Sequence, residues 1–181
     1  LFPDALPVFK IDLPSRPQPG VLNQSNANAA IASIDKAADL AKANSVSAIV
    51  TNPIHKHNLY CAGFTYPGHT EYLAHLSGAN EEPVMMLACD GLRTVPITTH
   101  VSLQQAIAEL SIERIVSQSR ITAQALEQDF GVSAPRLAVA GLNPHAGENN
   151  NIGREDQDII QPAIIDLQQN GFKAVSYTHL R

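Results

Sequence analysis

The sequence predicts an α/β protein in which short apolar strands alternate with amphipathic helices, so that the helices flank a mixed or mainly parallel sheet. Short apolar runs such as 46–50 and 136–141 end near Asn, Pro or Gly, which is typical of buried strands. Longer stretches such as 26–44 and 112–130 repeat apolar residues every three or four positions, which is typical of helices. With 181 residues and 44% hydrophobic content, the chain can bury a sizeable core.

In the first half, the pattern predicts one long helix, one strand and one short helix. Apolar residues at helical spacing cover 26–44, and a buried strand is predicted over 46–50. A loop then carries His55, Lys56 and His57. A helix is predicted over 70–77, with Thr70 as its candidate N-cap.

Turn and cap residues divide the second half. Asp90-Gly91 indicates a tight hairpin turn, Ser102 with Gln105 forms a capping box, and Gly131 suits a left-handed helix end. These signals predict strands over 84–89, 94–99 and 136–141, helices over 102–110, 112–130 and 155–170, and a polar loop over 143–153.

Composition excludes several classes of function. Only 16% of the residues are charged, the net charge is −5, and basic residues do not cluster, so nucleic acid is a poor partner. No apolar run approaches the roughly 20 residues of a membrane span. Cys61 and Cys89 are too few for a disulfide framework, which suits a reducing compartment. These observations predict a cytoplasmic protein without a membrane partner.

The two ends predict that the chain is a portion of a longer protein. It begins without methionine in a segment containing several prolines, and it ends where another strand is predicted to start. We therefore expect sequence to be missing on both sides.

Several polar stretches follow predicted strands, where α/β proteins commonly bind ligands. Lys56 lies in the stretch 51–56, after the first strand. His69 and Thr70 precede a helix whose first turn would suit a phosphate. His100 and His145 lie in separate loops after strands, and two such imidazoles can begin a divalent-metal site.

Each stretch also has a plainer explanation. A lone loop histidine is more often solvated than a ligand, and this applies to both His100 and His145. Gly68 and Gly141 can be simple turn residues. No Gly-x-Gly-x-x-Gly follows a strand, so a Rossmann nucleotide site is not indicated. Residue spacing alone favours an enzyme only modestly.

Taken together, the stretches resemble the 4-hydroxythreonine-4-phosphate dehydrogenase family, whose motifs occur here in the same order and at about the same spacing. The resemblance extends to about Lys173, and family members are nearly twice as long. The matching motifs are Asn-Pro-Ile-His-Lys at 52–56, Pro-Gly-His-Thr-Glu-Tyr at 67–72, Val-Met-Met-Leu-Ala at 84–88, Thr-Thr-His at 98–100 and Gly-Leu-Asn-Pro-His-Ala-Gly-Glu at 141–148.

The resemblance implies a fold like that of isocitrate and isopropylmalate dehydrogenases, with two domains and an active site at a homodimer interface. Residues 1–175 would form the central part of such an enzyme. The departures are Asn residues at 149–151, where relatives often have glycine, and an anomalous tail at 176–181 that resembles an assembly scar. His179 in this tail is given no role.

The resemblance also assigns residues. His69 and Thr70 match the substrate-binding pair, and His100 and His145 match two of three ligands to a divalent metal such as Zn, Mg or Co. The third ligand and most NAD contacts would lie beyond this chain, which is therefore expected to be inactive alone. Lys56 is a further candidate, as an anion contact or proton-transfer group.

The implied reaction is NAD-dependent, metal-assisted oxidation and decarboxylation of 4-phosphooxy-L-threonine in pyridoxal 5'-phosphate biosynthesis. Three alternatives remain open. A paralogue would act on 4-phosphoerythronate or 4-phosphothreonate. A metal-dependent hydrolase would use a carboxylate such as Glu148 as a general base. A non-catalytic binding module would need neither metal nor NAD.

Overall fold

The computed structural model describes residues 4–176, which form two compact units divided between Pro83 and Val84. The described part contains six α-helices and four β-strands, so the predicted α/β class is confirmed. None of its helices is long and apolar enough to cross a membrane. The predicted anomalous tail lies outside the described residues except for Ser176, and so does His179.

The first unit contains three helices, α1 (Ala27–Lys42), α2 (Lys56–Cys61) and α3 (His69–Ser77). The predicted loop around Lys56 is wrong, because His55 Nδ1 accepts a hydrogen bond from the amide of Asn58 and starts α2 there. Thr70 does not cap α3, because the helix already begins at His69 and Gly68 is its N-cap. Thr70 therefore lies inside the first turn.

The strand predicted over 46–50 is wrong. These residues are irregular, and the side chain of Val50 is 96% exposed. A strand needs a neighbour to satisfy its backbone hydrogen bonds, and no strand within residues 4–176 pairs with this segment. The apolar pattern therefore lacks the partner that would make it a strand.

Aromatic packing between α1, α2 and α3 forms the core of this unit. Ile34 and Leu59 are buried beside Phe64 and Tyr72, whose ring centroids are 4.8 Å apart at an interplanar angle of 76°. The Tyr72 hydroxyl donates a hydrogen bond to Asp35 on α1. This bond links α3 to α1, so it helps to fix the helix that presents His69 and Thr70.

The second unit begins with a hairpin of β1 (Leu87–Cys89) and β2 (Leu92–Thr94). Cys89 pairs with Leu92 across the Asp90-Gly91 turn, so the predicted turn is confirmed. Gly91 has φ 78°, which explains the glycine at this position. The predicted second strand over 94–99 is wrong beyond Thr94, because antiparallel pairing starts directly after the turn and ends after three residue pairs.

Two helices follow, α4 (Leu103–Glu109) and α5 (Ile112–Gln128). The Ser102 hydroxyl accepts a hydrogen bond from the amide of Gln105 at 3.2 Å, which confirms the predicted cap. Gly131 has φ 65°, as predicted for a left-handed residue after a helix.

A parallel strand–helix–strand unit completes the described fold. It consists of β3 (Arg136–Val139), a single π-helical turn (Asp156–Ile160), α6 (Gln161–Gln169) and β4 (Lys173–Ser176). The strands β3 and β4 pair in parallel, whereas β1 and β2 form a separate antiparallel pair. The described residues thus contain two small sheets in place of the single sheet that was predicted.

The core of the second unit lies between α5, α6 and these parallel strands. Ile115 on α5 is 1% exposed and Leu167 on α6 is 0% exposed. They pack with Ile160, Ala163, Ile164 and Ala174. This core anchors β3, and the loop that follows β3 carries His145.

Candidate active site

In the first unit, the N-terminus of α3 gathers three of the candidate residues. His69 and Thr70 occupy its first two positions and are half-buried, and Lys56 begins α2 nearby. A methyl group placed on Gly68 would lie 3.6 Å from Glu71 Oε2 and 4.0 Å from Lys56 Cε. The Lys56 side chain therefore reaches the turn from which α3 starts.

This arrangement has the chemistry of an anion site. The free amides at the start of a helix, together with the helix dipole, attract negative charge. The ammonium of Lys56 is exposed, and it would add a positive charge close to those amides. Glu71 Oε2, in contrast, is buried and has no hydrogen-bond partner among the described residues. Sequence reasoning did not single out Glu71, although an acid in the first turn of a helix is a common stabilising feature.

In the second unit, His100 and His145 are both exposed. Both also adopt left-handed backbone conformations, with φ of 60° and 53°. Such conformations are uncommon for residues other than glycine and concentrate at functional sites. Within residues 4–176 neither imidazole makes a hydrogen bond, so the ring nitrogens are available to bind another group.

Across residues 4–176, no hydrogen bond or ring contact joins His100 to His145, and their role as metal ligands stays a prediction. Neutral histidine nitrogens are common ligands of Zn²⁺ and similar cations, and catalytic zinc sites usually combine three protein ligands. The described residues contain no group of three or more His, Cys, Asp or Glu side chains that could hold a metal ion.

The loop that carries His145 has an unusual backbone. Every residue from 145 to 150 has a positive φ, between 43° and 81°. A left-handed conformation costs an L-residue roughly 1–2 kcal/mol, so a run of this length persists only where neighbouring groups hold it.

Asp156 holds the residues that lead into this run. It is buried, and it accepts hydrogen bonds at 3.0 Å from the amides of Leu142 and Asn143 and from Asn143 Nδ2. Asn143 Nδ2 also donates to Glu155 Oε2 at 2.8 Å. Hydrogen bonds from its own backbone amide and then from Asn143 lower the pKa of Glu155.

Three glycines allow the loop to close. A Cβ on Gly141 would lie 2.8 Å from Asp156 Oδ1, and one on Gly147 would lie 2.7 Å from the carbonyl oxygen of Gly153. A Cβ on Gly153 would lie 2.6 Å from Asn143 Nδ2. Larger residues would clash at all three positions. Gly141 is therefore more than the simple turn residue that its sequence context suggested.

A cavity of about 300 Å³ lies beside this loop, at the carboxyl ends of β3 and β4. Polar side chains form much of its lining, including Asn149, Asn150, Asp156 and Gln161. This is the edge at which α/β proteins commonly bind ligands. The sequence indicated His145 in this region, but it gave no sign of Asp156, which comes from the turn before α6.

Comparison with known proteins agrees with the resemblance in the motifs. The profile of the family described as pyridoxal phosphate biosynthetic protein PdxA matches residues 2–177. The 4-hydroxythreonine-4-phosphate dehydrogenase of Bradyrhizobium diazoefficiens is 48% identical over 176 residues, which are 96% of this chain and 51% of that protein. The enzyme of the same name from Zymomonas mobilis is 46% identical, over 93% of this chain and 50% of its own.

Solved structures show the same relationship. The crystal structure of 4-hydroxythreonine-4-phosphate dehydrogenase from Klebsiella pneumoniae matches with a TM-score of 0.82 and 37% identity, covering 91% of this chain and 49% of that one. A terephthalate 1,2-cis-dihydrodiol dehydrogenase from Burkholderia xenovorans matches with a TM-score of 0.61 and 30% identity, covering 91% and 54%.

The chain thus spans about half the length of the curated relatives it matches. The profile match covers nearly all of the chain, and the identities to these relatives are high over more than nine-tenths of it. The chain therefore belongs to the pyridoxal phosphate biosynthetic protein PdxA family.

Proposed function

We propose that the protein carrying this chain is an NAD-dependent, divalent-metal-assisted dehydrogenase that oxidises and decarboxylates 4-phosphooxy-L-threonine. Family membership is the observation that carries this proposal, because the curated relatives described above are named 4-hydroxythreonine-4-phosphate dehydrogenases. The product would serve pyridoxal 5'-phosphate biosynthesis. The reaction moves a hydride from the secondary alcohol carbon to NAD, releases the hydroxyl proton, and then loses CO₂ from the resulting β-keto acid.

The N-terminus of α3 would hold the anionic end of the substrate. Its free amides, the Thr70 hydroxyl and the His69 imidazole can donate hydrogen bonds to phosphate or carboxylate oxygens. Lys56 would add a positive charge at the same turn, as an anion contact. Fixing the substrate at this end would orient the alcohol carbon toward the nicotinamide.

His100 and His145 would hold the metal, together with a third ligand from outside this chain. A divalent cation at such a site lowers the pKa of a bound hydroxyl and stabilises negative charge on oxygen. The left-handed backbone at both residues supports this assignment, because strained conformations concentrate at functional sites. No Rossmann motif is present, so NAD would bind in another way.

The remaining features of the proposal also come from the family resemblance. The complete protein would adopt an isocitrate dehydrogenase-like fold and act as a cytoplasmic homodimer. The 181-residue chain alone would be inactive, because it would lack a metal ligand and most NAD contacts. Expressing residues 1–181 and following NADH at 340 nm with substrate tests this point, and measurable turnover would contradict it.

A second candidate concerns the substrate. The dehydrogenase of Burkholderia xenovorans matches this chain at 30% identity, and its name specifies a terephthalate dihydrodiol. The same architecture therefore occurs in proteins named for substrates without phosphate. Turnover of 4-phosphooxy-L-threonine by the complete gene product should be compared with turnover of 4-phosphothreonate, 4-phosphoerythronate and a terephthalate dihydrodiol. A clear preference for any of the other three would reassign the substrate without changing the reaction class.

The central test uses single alanine variants of His100 and His145 in the complete gene product. We expect each to reduce turnover by about 100-fold or more and to weaken Zn²⁺ binding, because each removes a metal ligand. His75→Ala is the control, since this exposed histidine on α3 has no assigned role. Normal turnover of both variants without added metal would contradict the metal assignment. Phosphate release without NADH would instead indicate a hydrolase.

A further inference from the structure

The left-handed segment 145–150 requires support that its own sequence does not provide. It contains His, Ala, Glu and Asn residues, all of which have positive φ here, and only one glycine. Gly, Asn and His tolerate this conformation better than most residues, whereas Ala146 and Glu148 are strained in it. Whatever holds the segment also determines where the His145 imidazole points, because a change in backbone conformation at His145 would redirect its side chain.

Asp156 holds the two residues just before Pro144 and the segment. The segment itself is bonded mainly through its own backbone, as from the amide of Ala146 to the carbonyl of Asn143. The two carboxylate oxygens of Asp156 accept hydrogen bonds from consecutive backbone amides, Leu142 to Oδ1 and Asn143 to Oδ2. Hydrogen bonds from two adjacent amides fix both the position and the rotation of that peptide. Because Asp156 is 8% exposed, water can replace these bonds only if the loop opens.

Asp156 is itself held firmly. It lies in the π-helical turn that leads into α6, and the next buried residues, Ile160 and Ala163, belong to the core of this unit. A Cβ on Gly141 would lie 2.8 Å from its Oδ1, so the backbone of the loop approaches the carboxylate closely. The rigid core is thereby connected to the loop through one buried side chain.

We infer that Asp156 is a positioning residue for His145: it fixes the peptide between Leu142 and Asn143, from which the left-handed loop starts, and so the orientation of the imidazole that would bind the metal. This inference rests on the proposed function, because it assigns Asp156 a role toward a His145 metal ligand. Asn143 assists, since its side chain joins Asp156 to Glu155. Asp156 acts through its hydrogen bonds from the amides of Leu142 and Asn143 and from the Asn143 side chain.

The test compares Asp156→Asn with Asp158→Asn in the complete gene product. Asn keeps the size of Asp156 but loses the negative charge and one of the two acceptor oxygens. Asp158 belongs to the same turn, and within residues 4–176 its carboxylate bonds only to Arg154 at the surface, at 2.8 Å and 3.2 Å, so it is a matched control. Calorimetric titration with Zn²⁺ measures metal affinity, and amide hydrogen exchange of the metal-free protein measures opening of 142–150.

We expect Asp156→Asn to weaken Zn²⁺ binding by about 10- to 100-fold, the usual effect of losing a residue that orients a ligand. Exchange of the amides in 142–150 should accelerate even without metal, because the loop then opens more often. Asp158→Asn should leave both unchanged. If Asp156→Asn binds Zn²⁺ as tightly as the unsubstituted protein, the inference is wrong.

Two further variants separate this role from general stability and from the proposed function. Ile164→Val weakens the α6 core without touching the loop, so it shows how far metal binding falls with stability alone. If it lowers the affinity as much as Asp156→Asn at an equal loss of melting temperature, Asp156 has only a structural role. If His145→Ala leaves Zn²⁺ binding intact, the metal assignment fails instead.

Asn143→Ala replaces Asp156→Asn as the test if Asp156→Asn does not fold. It removes only the side-chain hydrogen bonds of Asn143 and should weaken Zn²⁺ binding. Unchanged Zn²⁺ affinity in Asn143→Ala would likewise contradict the inference.

Discussion

Replacing Tyr72 by phenylalanine should destabilise the first unit through the loss of one hydrogen bond. The ring would remain packed against Phe64, so the change removes only the hydroxyl that donates to Asp35. Hydrogen bonds to charged groups contribute about 1.5–3 kcal/mol. Asp35 is half-exposed, so water can hydrogen-bond to its carboxylate in the variant. We therefore expect a loss of unfolding free energy near the lower limit, about 1–1.5 kcal/mol.

This loss should appear as a small shift in thermal unfolding. For a chain of this length, 1 kcal/mol corresponds to about 2–4 °C, so the melting temperature should fall by about 2–6 °C. Circular dichroism on the 181-residue chain and on the complete gene product would measure it. Tyr66→Phe is the matched control, because Tyr66 belongs to the same aromatic cluster and its hydroxyl has no partner among the described residues.

The loss of stability caused by Tyr72→Phe should also depend on pH. Burial and then the hydrogen bond to Asp35 raise the pKa of Tyr72 from 10.0 to about 12. The folded state favours the neutral phenol of Tyr72. The contribution of Tyr72 to the free energy of unfolding is therefore complete below about pH 10 and is lost as the pH rises through about 12. The stability gap between Tyr72 and its phenylalanine variant should therefore narrow above about pH 10. Equal losses in Tyr72→Phe and Tyr66→Phe, or a gap unchanged up to about pH 12, would refute this reasoning.

Three other substitutions, two of them with controls, test the N-terminus of α3, the core of the second unit and the loop that carries His145. Thr70→Val in the complete gene product should raise the KM for the phosphorylated substrate at least several-fold and leave that for NAD unchanged; the reverse pattern in steady-state kinetics would place Thr70 at the nucleotide. Ile115→Ala should cost about 3–4 kcal/mol in urea unfolding, because it leaves a cavity at a site 1% exposed, whereas Ile165→Ala, at a site 46% exposed, should cost less than about 1 kcal/mol. Gly147→Ala should lower the free energy of unfolding more than Gly171→Ala does.

Local signals in the sequence predicted local structure well. Ser102 and Gly131 could be assigned in advance because a cap or a left-handed helix end depends on a few neighbouring residues. The Asp90-Gly91 turn was predicted for the same reason. His55 was missed as the start of α2, because histidine is not among the preferred N-cap residues.

Features that depend on distant residues could not be predicted. The segment 46–50 has an apolar pattern, but a strand exists only when another strand pairs with it. Asp156 reaches back to Asn143 across 13 positions, and neither residue indicates this pairing alone. The candidate residues His69, Thr70, His100 and His145 came from motifs. Their roles stay predictions, whereas the left-handed backbone at His100 and His145 became apparent only in the structure.

The two glycine substitutions separate the cost of a left-handed backbone from the cost of a clash. Gly147 and Gly171 have similar φ values, 81° and 86°, so alanine is strained by about the same amount at both, roughly 1–2 kcal/mol. A Cβ on Gly171 would meet nothing within 4 Å, whereas one on Gly147 would lie 2.7 Å from the carbonyl oxygen of Gly153. This oxygen belongs to the backbone and cannot move alone, so Gly147→Ala must also displace the loop that carries His145. Urea unfolding of both variants should show the larger loss for Gly147→Ala, and only this variant should weaken Zn²⁺ binding by the complete gene product. Equal losses of stability would mean that the loop can shift at little cost, and a loop of that kind would not need Asp156 to hold His145.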